Sequence, residues 1–269
     1  MFTFHLKTLL NLNLNCRNHL DRWFYQCRIN IPNIYNYCFV SILFCLSLML
    51  TNTVFADGIV VDKVYHPYVL PNEREVEWRM QAPRENGDRN DLAHRFAYGQ
   101  SVMDNLMLEF YLVGERDAYD HFSLSSYEIE ARWMLTEQGQ YWADWGMLFE
   151  LEKEHQVDNW EVTSGVLVEK EFGRTSLTLN AFLIYEWGET LEGEIETEFR
   201  FQTRYRYLEQ FQPAIEVYSG ENYLGLGPAF MGVQRFSGQK QLKWEAAFIT
   251  GINTESQGHI LRIAIEYEF

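Results

Sequence analysis

The chain has 269 residues and a formal net charge of −16, with 38 Asp and Glu against 22 Lys and Arg. Phosphate contacts need patches of Lys and Arg, so nucleic acid is not expected as a partner of so acidic a chain. The mean hydropathy of −0.28 does not exclude a membrane protein, because half of each strand in a β-barrel faces a polar lumen.

An apolar segment near the N-terminus predicts export. Residues 38–50 carry no charge, and Val54 and Ala56 place small or β-branched side chains at the two positions that a signal peptidase inspects. The segment is shorter than the about 20 apolar residues of a transmembrane helix. We therefore interpret residues 1–56 as a leader with a signal peptide that is cleaved after Ala56, and an uncleaved membrane anchor is the alternative.

The remaining chain, residues 57–269, holds no cysteine and has a net charge of −19, because all four cysteines lie in the leader. This excludes a disulfide framework and a thiolate metal site there. The histidines of this part are too scattered for the spacing of metal ligands, so we predict neither a metal site nor a cofactor. Residues 57–70 are interpreted as a periplasmic N-terminal extension, or as a short plug of the barrel.

From residue 71 to residue 269 the sequence alternates between apolar and polar positions in segments that short turn signals separate. We count about twelve such segments, each close to the 9–11 residues or so that a tilted membrane strand needs. The clearest covers 194–207, where aromatic residues such as Phe199 and Tyr205 alternate with Glu and Arg. Without helices, only a closed barrel satisfies every backbone group in lipid.

The predicted fold is therefore all-β, a transmembrane antiparallel up-and-down β-barrel of about 12 strands over residues 71–269. An even number of strands places both termini on one side, which export requires to be the periplasm. The last strand must then pair with the strand near Val76 to close the ring. A water-soluble β-barrel or sandwich in the periplasm is the alternative.

The C-terminal segment from Leu261 to Phe269 places apolar or aromatic residues at every second position and ends the chain on Phe. It resembles the last strand of bacterial outer-membrane β-barrels, in which the barrel assembly machinery reads a terminal aromatic residue. The resemblance implies that Tyr267 and Phe269 form an assembly signal and that the protein lies in the outer membrane. It also implies outer-membrane lipids, lipopolysaccharide, the assembly machinery and periplasmic chaperones as partners.

Looser motifs cover about half of the chain after the leader. They are Tyr98-Gly99, Met103-Asp-Asn105, Gly227-Pro228-Ala229, Gly251-Ile252 and the final strand. They are similar to a broad group of uncharacterised proteobacterial outer-membrane proteins that includes transporter-like barrels and phenol-degradation (MetA-pathway) barrels. The resemblance implies a barrel fold and solute passage, and it carries no catalytic or binding residues to this chain.

Charged residues at the inward positions of the predicted strands are the candidate functional residues. They are Glu128, Glu130, Arg132, Glu150, Glu152, Glu194, Glu196, Glu198, Arg200, Arg204 and Arg206. Carboxylates that line a pore attract cations, so one hypothesis is a passive channel or small-solute transporter with an acidic lumen. The other is a non-conducting structural or interaction barrel, in which these side chains pair across the lumen and plug it.

A lipid-modifying enzyme of the outer membrane would need a nucleophile and a base side by side. His121 lies near Ser123 in the sequence, which makes such a pair conceivable. More simply, both are polar residues of an outer loop. We predict no catalytic residues and no enzymatic activity.

Overall fold

The structure is a computed structural model that describes residues 60–85, 92–116, 121–253 and 258–269. The predicted leader and its cleavage after Ala56 lie outside these residues. Among the described residues, no helix is long and apolar enough to cross a membrane.

Twelve antiparallel strands of the described residues form one closed sheet in which each strand pairs with its neighbours in the chain and β1 pairs with β12. The strands are β1 (Arg74–Glu85), β2 (Ala93–Met103), β3 (Leu106–Arg116), β4 (Phe122–Met134), β5 (Asp144–Glu154), β6 (Asn159–Phe172), β7 (Thr175–Gly188), β8 (Glu194–Tyr205), β9 (Gln212–Ser219), β10 (Leu224–Arg235), β11 (Gln241–Gly251) and β12 (Gly258–Glu268). The predicted all-β, up-and-down barrel of about 12 strands is confirmed.

The alternation of side chains along each strand explains this barrel. In β8 the side chains of Ile195, Phe199 and Tyr205 are exposed on the outer surface, whereas Glu196 and Glu198 are buried on the inner one. An apolar exterior around a polar interior is the arrangement that lipid requires of a β-barrel. β8 ends at residue 205, two residues before the predicted end of that segment.

The two barrel ends differ in their connections, and we name them by the termini. At the terminal end, where β1 begins and β12 ends, Val76 pairs with Tyr267, as the predicted closure requires. The Phe269 backbone N–H donates to the Arg74 carbonyl at 2.9 Å, and its ring stacks on that of Tyr267. At the opposite end, the loop end, the partly exposed rings of Trp160 and Trp187 stack in the same way. Aromatic side chains at both rims are typical of membrane barrels.

Residues 60–69 lie inside the barrel and form what we call the lumenal segment. Val61, Val64 and Tyr65 are at most 2% exposed. Val61 and Val64 belong to a cluster of inward side chains from β9 to β12, and Tyr65 belongs to a second cluster from β5 to β7. Residues 60–69, which are part of the predicted extension or plug, thus lie in the barrel interior.

Candidate functional site in the barrel lumen

The lumenal segment is anchored at Asp62, where guanidinium groups from three strands converge on one carboxylate. Arg79 of β1 pairs with Oδ1, to which Gln81 also donates at 2.8 Å. Arg200 of β8 and Arg95 of β2 lie 3.3 and 3.9 Å from Oδ2. Burial alone would raise the pKa of Asp62, but Arg79, Arg95 and Arg200 hold it well below its ordinary value. Asp62 is therefore an ionised anchor.

Lys63, the next residue of the segment, carries the opposite charge and is also paired with the barrel wall. The ammonium of Lys63 lies 2.6 Å from Glu77 of β1 and 2.9 Å from Glu266 of β12. Burial lowers the pKa of Lys63, and Glu266 and Glu77 outweigh this effect and raise it well above the ordinary value. Adjacent charges of the lumenal segment thus each have counter-charges on the barrel wall.

The barrel wall also binds the backbone of the lumenal segment. The carbonyl oxygen of Asp62 accepts from the Tyr218 hydroxyl and from Arg262, each at 2.6 Å. The Asn180 side chain accepts from the Tyr65 N–H and donates to the Tyr65 carbonyl, both at 2.8 Å. These contacts satisfy buried backbone groups that would otherwise be unpaired. The wall therefore binds the backbone of the segment and not only its side chains.

Side chains of the lumenal segment near the terminal end are bound in the same way. His66 Nδ1 lies 2.5 Å from Glu169 of β6, and the Tyr68 hydroxyl donates to Asp144 of β5 at 2.8 Å. Together with the contacts of Asp62 and Lys63, these bonds join the segment to strands on opposite sides of the barrel. The segment therefore crosses the lumen and is held from both sides.

The central section of the lumen is filled around this segment. Arg79 and Arg262 are among the largest of the fully buried side chains. Both point into the barrel, and both are at most 1% exposed. Inward side chains of a water-filled pore would be hydrated, because half of each strand in such a barrel faces water. Within the described residues, the segment and the charged wall therefore close the barrel at its centre.

Toward the loop end the wall changes to carboxylates that face one another. In the register of the sheet, Glu128 is directly opposite Glu152, Glu152 is opposite Glu161, Glu161 is opposite Glu186 and Glu186 is opposite Glu194. We call these five residues on β4 to β8 the glutamate row. Like charges at directly opposed positions destabilise a sheet. The row therefore does not serve the stability of the barrel.

A cavity of about 60 Å³ lies beside the glutamate row. Its lining includes Glu152, Glu161 and Glu186 of the row, together with Glu154 and the amide of Asn159. Since strands β5 and β7 end and β6 begins near these residues, the cavity lies at the loop end. It forms an acidic space on one side of the closed central section.

The structure places ten of the eleven candidate residues on the strands β4, β5 and β8. Glu128, Glu130, Arg132, Glu196 and Glu198 are buried, and Glu150, Glu152, Glu194, Arg200 and Arg204 are partly exposed. Carboxylate oxygens of Glu128, Glu150 and Glu152 come within 4.8 Å of one another.

The arginines among the candidates lie apart from this carboxylate group. Arg132 pairs with Glu109 at 3.2 Å, and Arg204 lies 3.5 Å from Glu169. Arg206 lies beyond the end of β8, in the connection to β9, where it pairs with Glu171 at 2.7 Å. Arg206 belongs to the terminal rim because β8 ends at residue 205 and a bend follows at residue 207.

Several residues of the site were not among the predicted candidates. Arg262 and Glu216 form a fully buried ion pair at 2.9 Å, and Asn180 binds the lumenal segment. The signal for all three was a polar residue at an inward position of an alternating strand. Asp62 had no comparable signal, because it lies outside every strand.

His121 and Ser123, the conceivable nucleophile–base pair, lie at the loop end. His121 precedes β4 and Ser123 is the second residue of that strand, and both are exposed. The absence of enzymatic activity stays a prediction.

The sequence matches no protein-family model and no curated protein sequence. Solved structures of outer-membrane barrels are similar in fold. The COG4313 outer membrane channel from Pseudomonas putida F1 has a TM-score of 0.52 and 12% identity, over 78% of this chain and 100% of that chain. The KdgM porin in complex with disordered oligogalacturonate has a TM-score of 0.50 and 10% identity, over 72% and 99%.

At this identity the likeness shows the fold, which is that of an outer-membrane β-barrel. It agrees with the barrel that the resemblance of the sequence motifs implied. The solutes of these proteins are not carried to this chain.

Proposed function

We propose that the protein is an outer-membrane channel for small solutes whose central section is closed by the lumenal segment and opens when that segment is displaced. The observation that carries the proposal is that this segment crosses the lumen without forming a strand of the sheet and is held by ion pairs and hydrogen bonds. Water can replace such contacts. A buried ion pair also adds little net stability compared with apolar packing of the same volume.

The direction of the channel follows from the even number of strands. If both termini lie in the periplasm, the loop end and the glutamate row face the outside of the cell. A carboxylate-lined mouth raises the local concentration of cations, so the open channel is expected to prefer cations. We propose this acidic entrance as the selective part of a passive path.

One observation favours the second candidate, a non-conducting structural or interaction barrel. The central side chains Arg79 and Arg262 are fully buried, as in a core that never opens. The two candidates differ in what removal of the lumenal segment does. In a channel, removal leaves a hydrated path, and in a filled barrel the charged wall side chains collapse onto one another.

Planar-bilayer recordings of the protein and of a variant without residues 60–70 test the proposal. We expect rare, brief openings of the protein and a steady, cation-preferring conductance of the variant. A synthetic peptide of residues 60–70 should reduce the conductance of the variant, and a scrambled peptide should not. A variant that folds, as shown by its heat-modifiable migration on gels, and conducts no more than the protein would overturn the channel in favour of the filled barrel.

A further inference from the structure

We propose that Glu128, Glu150 and Glu152 form a binding site for a divalent cation, with Ca²⁺ as the ligand. The sheet brings these residues together, since Glu128 of β4 is directly opposite Glu152 of β5 and Glu130 is opposite Glu150. Carboxylate oxygens of the three residues lie within 4.8 Å of one another. One ion could bind to all three after small movements of their side chains.

A second observation points to a ligand, and it concerns a buried carboxylate oxygen without a partner. Glu128 is 1% exposed, and among the described residues its Oε1 has no hydrogen-bond partner. Nearly all buried polar atoms in proteins are hydrogen-bonded. A cation bound between Glu128, Glu150 and Glu152 supplies the missing partner.

The arginines nearby do not neutralise this group. Arg95 lies 3.0 Å from Oε2 of Glu128, and Arg132 pairs with Glu109. Within the described residues, neither Glu150 nor Glu152 forms an ion pair. The site therefore keeps an excess of negative charge after its arginine contact is counted.

A second group of acids, Glu73, Glu75, Glu266 and Glu268, also has its carboxylates close together. There the ammonium of Lys243 already pairs with Glu266 and with Glu268, and Lys63 pairs with Glu266. A protein cation thus occupies the place that a metal ion would take. This contrast explains why we propose the site at Glu128 and not the one at Glu266.

The geometry also gives the ion a path to the site. Glu150 and Glu152 are partly exposed, and Glu152 lines the cavity at the loop end. The rest of the glutamate row surrounds that cavity, which draws cations toward it. A metal site needs such an entrance as well as its ligands.

The chemistry of the ligands selects the class of ion. Carboxylates without Cys or His favour a hard cation over Zn²⁺ or Cu²⁺. Ca²⁺ accepts six to eight oxygens or so in irregular geometry, whereas Mg²⁺ requires a near-ideal octahedron. Three glutamates on two strands, completed by water, fit the less demanding ion. The inference goes beyond the proposed function, because binding does not require that the barrel conducts.

Terbium luminescence tests the site, with Tb³⁺ as the probe and the aromatic side chains of the barrel as sensitisers. The protein is freed of lipopolysaccharide and held in a non-ionic detergent, so that protein carboxylates are the sites measured. We expect a saturable signal that CaCl2 displaces at lower concentration than MgCl2. No saturable signal, or one that CaCl2 does not displace, would overturn the proposal.

The variants Glu152→Gln and Glu150→Gln/Glu152→Gln locate the binding. The double variant should weaken terbium binding about tenfold or more, since even outer-shell changes weaken metal sites by about that factor. The single variant should lie between the double variant and the protein, and it serves if the double variant does not fold. Glu137→Gln/Glu209→Gln is the matched control, because both residues are exposed at the terminal end. Equal loss in the control and the site variants would contradict the site.

Discussion

The central section and the loop end of the lumen use the same residue types in different ways. In the centre, the carboxylate of Asp62 meets Arg79 and Arg200, and the ammonium of Lys63 meets Glu77. At the loop end, carboxylates of the glutamate row face one another across β4 to β8. Matched charges let the chain pack into a closed centre, and the unmatched charges of the glutamate row are the basis on which we propose a cation-preferring entrance.

The largest effect is expected from Asp62→Asn, which removes the central charge and keeps the shape of the side chain. Arg79, Arg95 and Arg200 would then be left around a neutral group. Removal of one partner from a buried ion pair costs about 3–5 kcal/mol, so we expect the lumenal segment to leave its site and the conductance to approach that of the deletion variant. Single-channel recordings measure this.

The control for this variant is Asp158→Asn, which removes a charge from an exposed loop residue that pairs with Lys153 at 2.9 Å. A surface ion pair contributes about 0–1 kcal/mol, so the conductance should stay as low as in the unchanged protein. If Asp62→Asn also stays closed, ion pairing at Asp62 does not hold the segment.

A smaller effect is expected from Asn180→Ala, which removes two hydrogen bonds to the backbone of Tyr65. A buried backbone group left without a partner costs about 1–3 kcal/mol, so we expect more frequent openings but a channel that is still mostly closed. Asn105→Ala is the matched control, because its amide donates to the Met134 carbonyl at the terminal end. Equal opening in both variants would assign the effect to general loosening of the barrel.

The sequence was sufficient to predict the barrel fold but not to predict that residues 60–69 fill its lumen. Asp62 shows why. Alternation along β8 is a local pattern, so it predicted which side of the strand carries Glu198 and Arg200. The contacts of Asp62 join it to Arg200 and Arg262, which lie 138 and 200 residues further along the chain. No local period encodes such contacts.

Two of the five residues of the glutamate row were not among the predicted candidates, for a different reason. Glu161 and Glu186 are visible in the sequence as inward residues of β6 and β7, but only the register places them opposite each other. The lengths of the turns and the shear of the barrel set this register, and alternation alone leaves it open by steps of two residues. The sequence therefore predicted an acidic lumen without locating where the acids meet.

The closed state should respond to pH only near its extremes, because the pKa values of Asp62 and Lys63 lie outside the ordinary range. The pKa of Asp62 in the docked segment is well below its value in the free segment, so its contribution to docking is complete above the free value of about 3.9 and is lost as the pH falls toward the lowered value. The pKa of Lys63 is raised, so its contribution is complete below the free value of about 10.4 and is lost only above it.

We therefore expect the closed state to persist between about pH 5 and 9 and openings to increase below about pH 4. Recordings of the protein across this range, with the deletion variant as the control for effects on the open path, measure the response. An opening transition near neutral pH in the protein alone would show that a group other than Asp62 or Lys63 governs docking.

The smallest effect is expected at the loop end, where Glu161→Gln/Glu186→Gln is introduced into the deletion variant and selectivity is measured in KCl with a chelator present. Two unit charges 4 Å apart in water interact with about 1 kcal/mol, so the preference for K⁺ over Cl⁻ should fall by about fivefold in dilute salt. It should change little in about 1 M salt, where the screening length is about 3 Å. The control pair Glu137→Gln/Glu209→Gln should leave the preference unchanged at both concentrations. An unchanged preference in the Glu161/Glu186 variant would mean that the wall of the central section selects the ion. The central section would then determine both whether the lumen is closed and which ion passes, and the loop end would determine neither.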